Sequence, residues 1–228
     1  MQTQSSERYT LAVLITIVGG FLESYSYITR NGVFANAQTG NIARVGLSLA
    51  AGDLSRAGRY LVPVLAFVVG VTLSVQIRKT FQNTPKRWMH WRQFVILVEL
   101  VLVIFVGFFP VNTYNVAATV TISFICALQV ESFRKFYGNT FASTMCTGNL
   151  RIATENLNMY WNTHNRAHLK KSLLYYTIDL MFIVGVILGY FCTHTFGCRA
   201  IWFCLFPLSS VFCLMMHRPQ RTVESLLT

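Results

Sequence analysis

The chain carries the same polar signature twice, each time beside long apolar stretches. Glu23-Ser24-Tyr25, Asn31 and Thr39-Gly40-Asn41 return as Glu131-Ser132-Phe133, Asn139 and Thr147-Gly148-Asn149, each 108 positions on (131 − 23, 139 − 31, 147 − 39). The repeat reaches into the apolar segments, where Phe67, Gly70 and Ser74 match Phe182, Gly185 and Gly189 at an offset of 115 (185 − 70). The second copy therefore holds seven extra residues (115 − 108), placed by the spacing around Asn158 to Lys170. Polar groups are costly in lipid, so a duplicated polar signature beside apolar runs points to a buried site rather than to packing alone. Two-fold internal repetition of this kind is a common plan for transporters.

Of the 228 residues, 54% are hydrophobic and only 12% are charged. That charged share is about half the globular norm of roughly 25%. Apolar runs long enough to cross a bilayer fall at about 11–29, 58–77, 93–112, 114–130, 172–192 and 198–216. Arg8 followed by an apolar run resembles a secretory leader, but the run continues through Gly19-Gly20 into the first polar signature. It reads as a retained first span. The net charge of +11 does not call for nucleic acid, because the basic residues collect between apolar runs. Arg78, Lys79, Lys86, Arg87 and Arg92 share one connection, Arg166, Lys170 and Lys171 another, and Arg218 and Arg221 the tail. That is the positive-inside pattern of a protein whose partner is the lipid bilayer.

The segments 36–51 and 144–160 are the ambiguous ones. They contain Arg44 in one copy and Arg151, Glu155, Asn156 and Asn158 in the other, which argues against stand-alone spans. If neither crosses, the strongest basic loops all fall on one side and both termini are cytoplasmic. A seven-span arrangement, with only the first element crossing, is the runner-up. The expected fold is an all-α membrane protein of about six transmembrane helices. It would form one membrane domain of two inverted three-span repeats, 1–112 and 113–228. Each would carry a short interrupted or re-entrant helix after its first span.

The candidate binding residues are Glu23, Asn31, Asn36, Gln38, Thr39, Gly40 and Asn41, with Glu131, Asn139, Thr147, Gly148 and Asn149 in the second copy. Thr and Asn can cap a helix start, and two such starts meeting in the membrane would favour an anion or a polar group. Gly40 and Gly148 would let backbones approach closely. Glu23, Glu99 and Asp179 are the candidate coupling acids, since an intramembrane carboxyl can carry a proton or partner a cation. Arg134 and Lys135 beside Glu131 suggest an interface position for that acid. Gly70, Gly185 and Gly189 read as packing notches, and Trp88, Trp91 and Tyr114 as interfacial anchors.

Cys192 and Cys198 flank a short loop with His194, where a disulfide or, less simply, a metal site can be imagined. His164 and His168 have metal-binding spacing but no third ligand, so no metal and no cofactor is assigned. No phosphate loop, zinc-protease motif or serine elbow is present, and no enzymatic activity is expected.

The strings Gly19-Gly20-Phe21-Leu22-Glu23-Ser24-Tyr25 and Gly32-Val33-Phe34-Ala35-Asn36-Ala37-Gln38-Thr39-Gly40-Asn41 resemble the YoaK family of bacterial multi-pass membrane proteins. Thr147-Gly148-Asn149-Leu150 fits the same pattern, and the resemblance covers nearly the whole chain. The chain departs from it at Glu23, where an Asp is expected, and in its more polar 151–165 stretch. The resemblance implies an inner-membrane protein and brings no substrate with it. The expected function is a small secondary transporter or channel for a small polar or anionic solute, proton-coupled and homo-oligomeric. The alternative is a membrane scaffold or partner subunit with no transport activity.

Overall fold

The computed structural model describes residues 9–82, 89–136 and 139–216. Helix α1 (Tyr9–Thr29) is followed by short α2 (Gln38–Ala50), long α3 (Leu54–Gln82) and α4 (Trp91–Val106). The second half repeats the order with α5 (Asn115–Ser132), α6 (Cys146–Thr163), α7 (Arg166–Phe196) and α8 (Leu205–Met216). A 3-10 segment, Gly197–Cys204, leads into α8, and a two-rung antiparallel hairpin of β1 (Lys135–Phe136) and β2 (Asn139–Thr140) precedes α6. Among the described residues four stretches are long and apolar enough to cross a membrane: Tyr9–Thr29, Leu54–Gln82, Asn115–Ser132 and Arg166–Met216. Helix α4, at 16 residues, is apolar but shorter than that. Helix α6 has 18 residues against 13 in α2, which takes up five (18 − 13) of the seven extra residues inferred from the repeat offsets.

Local chemistry sets several of the boundaries. His90 caps α4, its ring accepting the Arg92 N–H while the Gln93 side chain accepts the His90 N–H. His164 ends α6 in the left-handed conformation, and Asn165 starts α7 by accepting the Ala167 N–H at 2.9 Å.

Packing pairs the first helix of each half with the third helix of the other. Helix α1 runs parallel to α7: Gly185 lies against the Ile17 carbonyl, and one turn on Gly189 lies against Phe21. Helix α3 runs parallel to α5, with Gly70 against Phe124 and Ala127, and Ser74 3.3 Å from Ser132. Helices α4 and α5 are antiparallel, since Arg92 reaches the Ser132 carbonyl and Glu99 meets Gln129. Lipid removes the hydrophobic drive between helices, so these small-residue notches matter: they let backbones approach and collect dispersion contacts.

Helix α1 is the innermost, with 72% of its apolar window buried against 28% for α3. Leu61, Leu65, Val68 and Val69 of α3 and Leu180, Ile183 and Ile187 of α7 are exposed, as suits a lipid-facing surface. The main core joins α1, α4, α5, the 3-10 segment and α8 through Ile15, Val18, Ile96, Ile122, Ile201 and Leu208.

One sequence expectation is corrected here, and the Cys192–Cys198 pairing that the sequence left open is answered. Trp91 is no interfacial anchor: it is buried where it opens α4, beside Val95 and Leu128. Tyr114 is exposed, and Trp88 lies outside the described residues. Cys192 and Cys198 are not joined, both being free thiols.

Candidate functional site

After α1 ends at Thr29, the chain folds back along it. The Ala35 N–H donates to Ser26, the Asn36 N–H to Glu23 Oε2 at 3.0 Å, and Asn36 Nδ2 to the Gly19 carbonyl at 2.9 Å. The chain thus retreats to the middle of α1 before α2 begins. The second half does the same: Thr144 sits 3.6 Å from Cys126 in α5, with its methyl and the Ser143 carbonyl against Gly19. Both connections converge on Gly19, where a Cβ would lie 2.9 Å from Thr144.

Each fold-back is held by the asparagine of its Thr-Gly-Asn triplet. Asn41 Nδ2 donates to the Phe34 carbonyl at 2.8 Å, and Asn149 Nδ2 to the Ala142 carbonyl at 3.0 Å, both seven residues upstream. This is one clasp made twice, since Phe34 and Ala142 are also 108 apart (142 − 34). Gln38 extends the first clasp, accepting from Asn41 and donating to the Ala35 carbonyl at 2.7 Å and to Ser123 in α5 at 3.3 Å. Ser123 in turn donates to the Ala35 carbonyl at 2.5 Å.

The rest of the triplet behaves differently from expectation. Neither helix is capped by it: the capping positions are Ala37 and Met145, and neither makes a side-chain cap. Thr39 and Thr147 lie within the first turns and face outward, because the helical rotation that buries the asparagine turns its neighbours away. Gly40 and Gly148 are not approach points either. A Cβ on Gly40 would meet its nearest atom at 4.0 Å, and one on Gly148 would meet nothing within 4 Å.

The acids separate into two environments. Glu23 is buried, and its carboxylate faces the backbone N–H groups of Asn36 and Ala37, which open α2. The positive end of that helix is therefore already met by a carboxyl of the chain itself. Glu99 of α4 is fully buried, with the Gln129 amide at 3.5 Å as its partner and no ion pair to a cation among the described residues. Asp179 of α7 accepts from Asn149 Nδ2 at 3.2 Å and from Cys146 at the start of α6. Glu131, the repeat mate of Glu23, lies apart from these, 3.4 Å from Arg134 and 4.0 Å from Arg78. Asn31 is also displaced from the centre. It is exposed, in the left-handed conformation, and lines a cleft of about 220 Å³ with Val33, Arg56, Arg59 and Tyr60. Asn139 is described in backbone only, as a residue of β2.

Sequence reasoning passed over Ser123, Cys126, Gln129, Ser143 and Thr144, all buried at this centre. The offset of 108 would have found Thr144, the mate of Asn36 (144 − 36). It also passed over the role of Arg30, whose side chain is fully buried at the end of α1. Arg30 donates to the Phe109 and Pro110 carbonyls, to Asn115 Oδ1 and to the Tyr25 hydroxyl, fastening α1 to the α4–α5 turn. Among the described residues no group of three or more His, Cys, Asp and Glu side chains is placed to hold a metal ion.

Long apolar helices with lipid-suited outer faces, folded around a buried polar centre, define an all-helical integral membrane protein. The chain belongs to the family described as "Protein of unknown function (DUF1275)", which matches residues 11–214. It is 21% identical to the UPF0700 transmembrane protein YoaK of Bacillus subtilis (strain 168) over 221 residues, covering 94% of this chain and 95% of that protein. No solved structure matches the chain significantly.

Proposed function

We propose that this protein is a small secondary transporter or channel of the bacterial inner membrane, moving a small polar solute with Glu23 as its coupling acid. The observation that carries this reading is the convergence of two clasped fold-backs on Gly19, over a buried carboxyl. Non-helical backbone at such depth is tolerated where it lines a solute path or is buried in protein, and broken elements of this kind form transport sites.

The six-span reading takes α2 and α6 as elements that enter and return. It draws support from the helix directions, with α1 parallel to α7, α3 parallel to α5, and α4 antiparallel to α5. On that reading 1–112 and 113–228 are inverted repeats, both termini are cytoplasmic, and the exposed faces of α3 and α7 meet lipid or a second copy. An anionic solute draws less support than a neutral or cationic one, because Glu23 already occupies the start of α2.

The test is flux in proteoliposomes containing a pH-sensitive dye. Wild type is expected to pass protons down an imposed gradient, and Glu23→Gln to lose at least tenfold of that rate (about 1.4 kcal/mol) while keeping its yield. If wild type is silent and Glu23→Gln melts several degrees lower, the polar centre only joins the two halves, as in a membrane scaffold.

A further inference from the structure

Buried side-chain atoms without a hydrogen-bond partner among the described residues include oxygens around the clasps and nitrogens at the far end of α1, besides the hydroxyls of Thr16, Ser172 and Thr193. Around the clasps they are all oxygens: Asn36 Oδ1, Asn41 Oδ1, Glu99 Oε1, Ser143 Oγ and Asp179 Oδ2. The unpartnered donors, Arg30 Nε and Asn115 Nδ2, sit at the far end, where Arg30 meets the α4–α5 turn. No Lys, Arg or His among the described residues bonds to Glu23, Glu99 or Asp179. Cys126 of α5 lies within electrostatic reach of both Glu23 and Glu99, and it touches Thr144 beside Ser143. The unpartnered atoms at this level are therefore two amide oxygens, two carboxyl oxygens and one hydroxyl, four of the five being pure acceptors. Buried acceptors left unpaired are expensive, so the centre is stable with something that donates to them.

We infer that the polar centre between α1, α4 and α5, at the level of Gly19 and Cys126, binds a monovalent cation or a protonated amine. Glu99, Asn36 and Ser143 supply the oxygens. The inference rests on the transport reading and names the charge of its cargo or coupling ion. Glu99 is the main determinant: it is fully buried, has one oxygen unpartnered, and has only a distant amide on the other. Glu23 contributes negative potential while staying tied to the start of α2.

The test is thermal unfolding of the purified full chain at constant ionic strength. Sodium chloride and methylammonium chloride are compared with choline chloride, whose cation has no N–H and is too bulky. A rise of roughly 3 °C with sodium or methylammonium is expected, lost in Glu99→Gln and reduced in Ser143→Ala. Sodium alone would assign an alkali-metal site, methylammonium alone an amine site. Ser143→Ala breaks no side-chain hydrogen bond among the described residues, so it keeps the test open if Glu99→Gln misfolds. An equal rise in both variants would mark a surface ion effect and overturn the inference. So would a rise only when gluconate is exchanged for chloride, which would assign an anion instead. No response to any salt also overturns it, and proton flux in proteoliposomes then decides whether the transport reading survives.

Discussion

The two clasps share a backbone design and differ in chemistry. In the first, Asn41 holds the fold-back and the carboxyl comes from α1, with Glu23 facing the N–H groups before α2. In the second, Asn149 holds the fold-back and the carboxyl comes from α7, with Asp179 bonded to Asn149 itself. Glu131, which by sequence should repeat Glu23, is drawn to Arg78 and Arg134 instead. Arg78 has Thr193 as its repeat mate (78 + 115), so the first copy has no cation there to draw Glu23 away. The frame that bends the chain is the same in both, and the ionisable groups are placed differently within it.

The strongest way to break the comparison is at the helix notches. In Gly185→Ala the new Cβ would collide with the Ile17 carbonyl, a backbone atom that cannot rotate away, and a loss of about 3 kcal/mol is expected. Gly70→Ala meets the Ala127 side chain at 2.6 Å and the Phe124 carbonyl at 3.0 Å, and should lose somewhat less. Denaturant titration in mixed micelles reads both. A neutral Gly185→Ala would show that the α1–α7 pairing is looser than its α3–α5 counterpart.

Next come the clasps. Asn41→Ala should cost about 2 kcal/mol by leaving the Phe34 carbonyl and Gln38 without their donor. Asn149→Ala should cost more, about 3 kcal/mol, because the Asp179 carboxyl loses a partner as well. Equal losses would mean that Asp179 takes no share in holding α6.

A smaller asymmetry concerns acid. His90 caps α4, whereas the matching α8 is entered through a 3-10 segment. Burial, with Arg92 nearby, pulls the His90 imidazole from its ordinary 6.5 down to about 4. The unfolded chain then binds more protons between these values. The cap's contribution is full above pH 6.5 and fades as pH falls toward 4. Because His90 is partly exposed, screening leaves about 1 kcal/mol of effect. Melting at pH 7 and pH 5 should differ by that amount in wild type, and the difference should vanish in His90→Asn, which caps without titrating.

The smallest effect is expected at Gly148→Ala, a gain of about 0.5 kcal/mol from helix propensity, with proton flux unchanged. A loss of flux there would return the exposed face of α6 to the candidate site.

Much of this was legible in the sequence. Each of the six apolar runs contains or overlaps a helix, and the polar stretches 36–51 and 144–160 form the short α2 and α6. Glu23, Asn36, Gln38, Asn41 and Asn149 are placed at the centre, because buried polar groups near apolar runs are visible as exceptions. The outward turn of Thr39 and Thr147 was not legible, since a triplet does not say where its helix starts. Nor were Ser123 and Gln129, whose roles depend on which turn of α5 faces the returning loop. Nor was the role of Arg30, because nothing local announces the carbonyls of Phe109 and Pro110, some 80 residues away.

The exchange of partners between halves also sets a schedule for synthesis. Ile17 emerges 168 residues before Gly185 (185 − 17), its contact on α7. At about 5–20 residues per second, α1 waits on the order of ten seconds or more for the surface it must pack against. During that interval its glycine-lined side is open to lipid, to an insertion chaperone or to another nascent chain. A ribosome stalled after α5 would release a fragment in which α3 has found its partner and α1 has not.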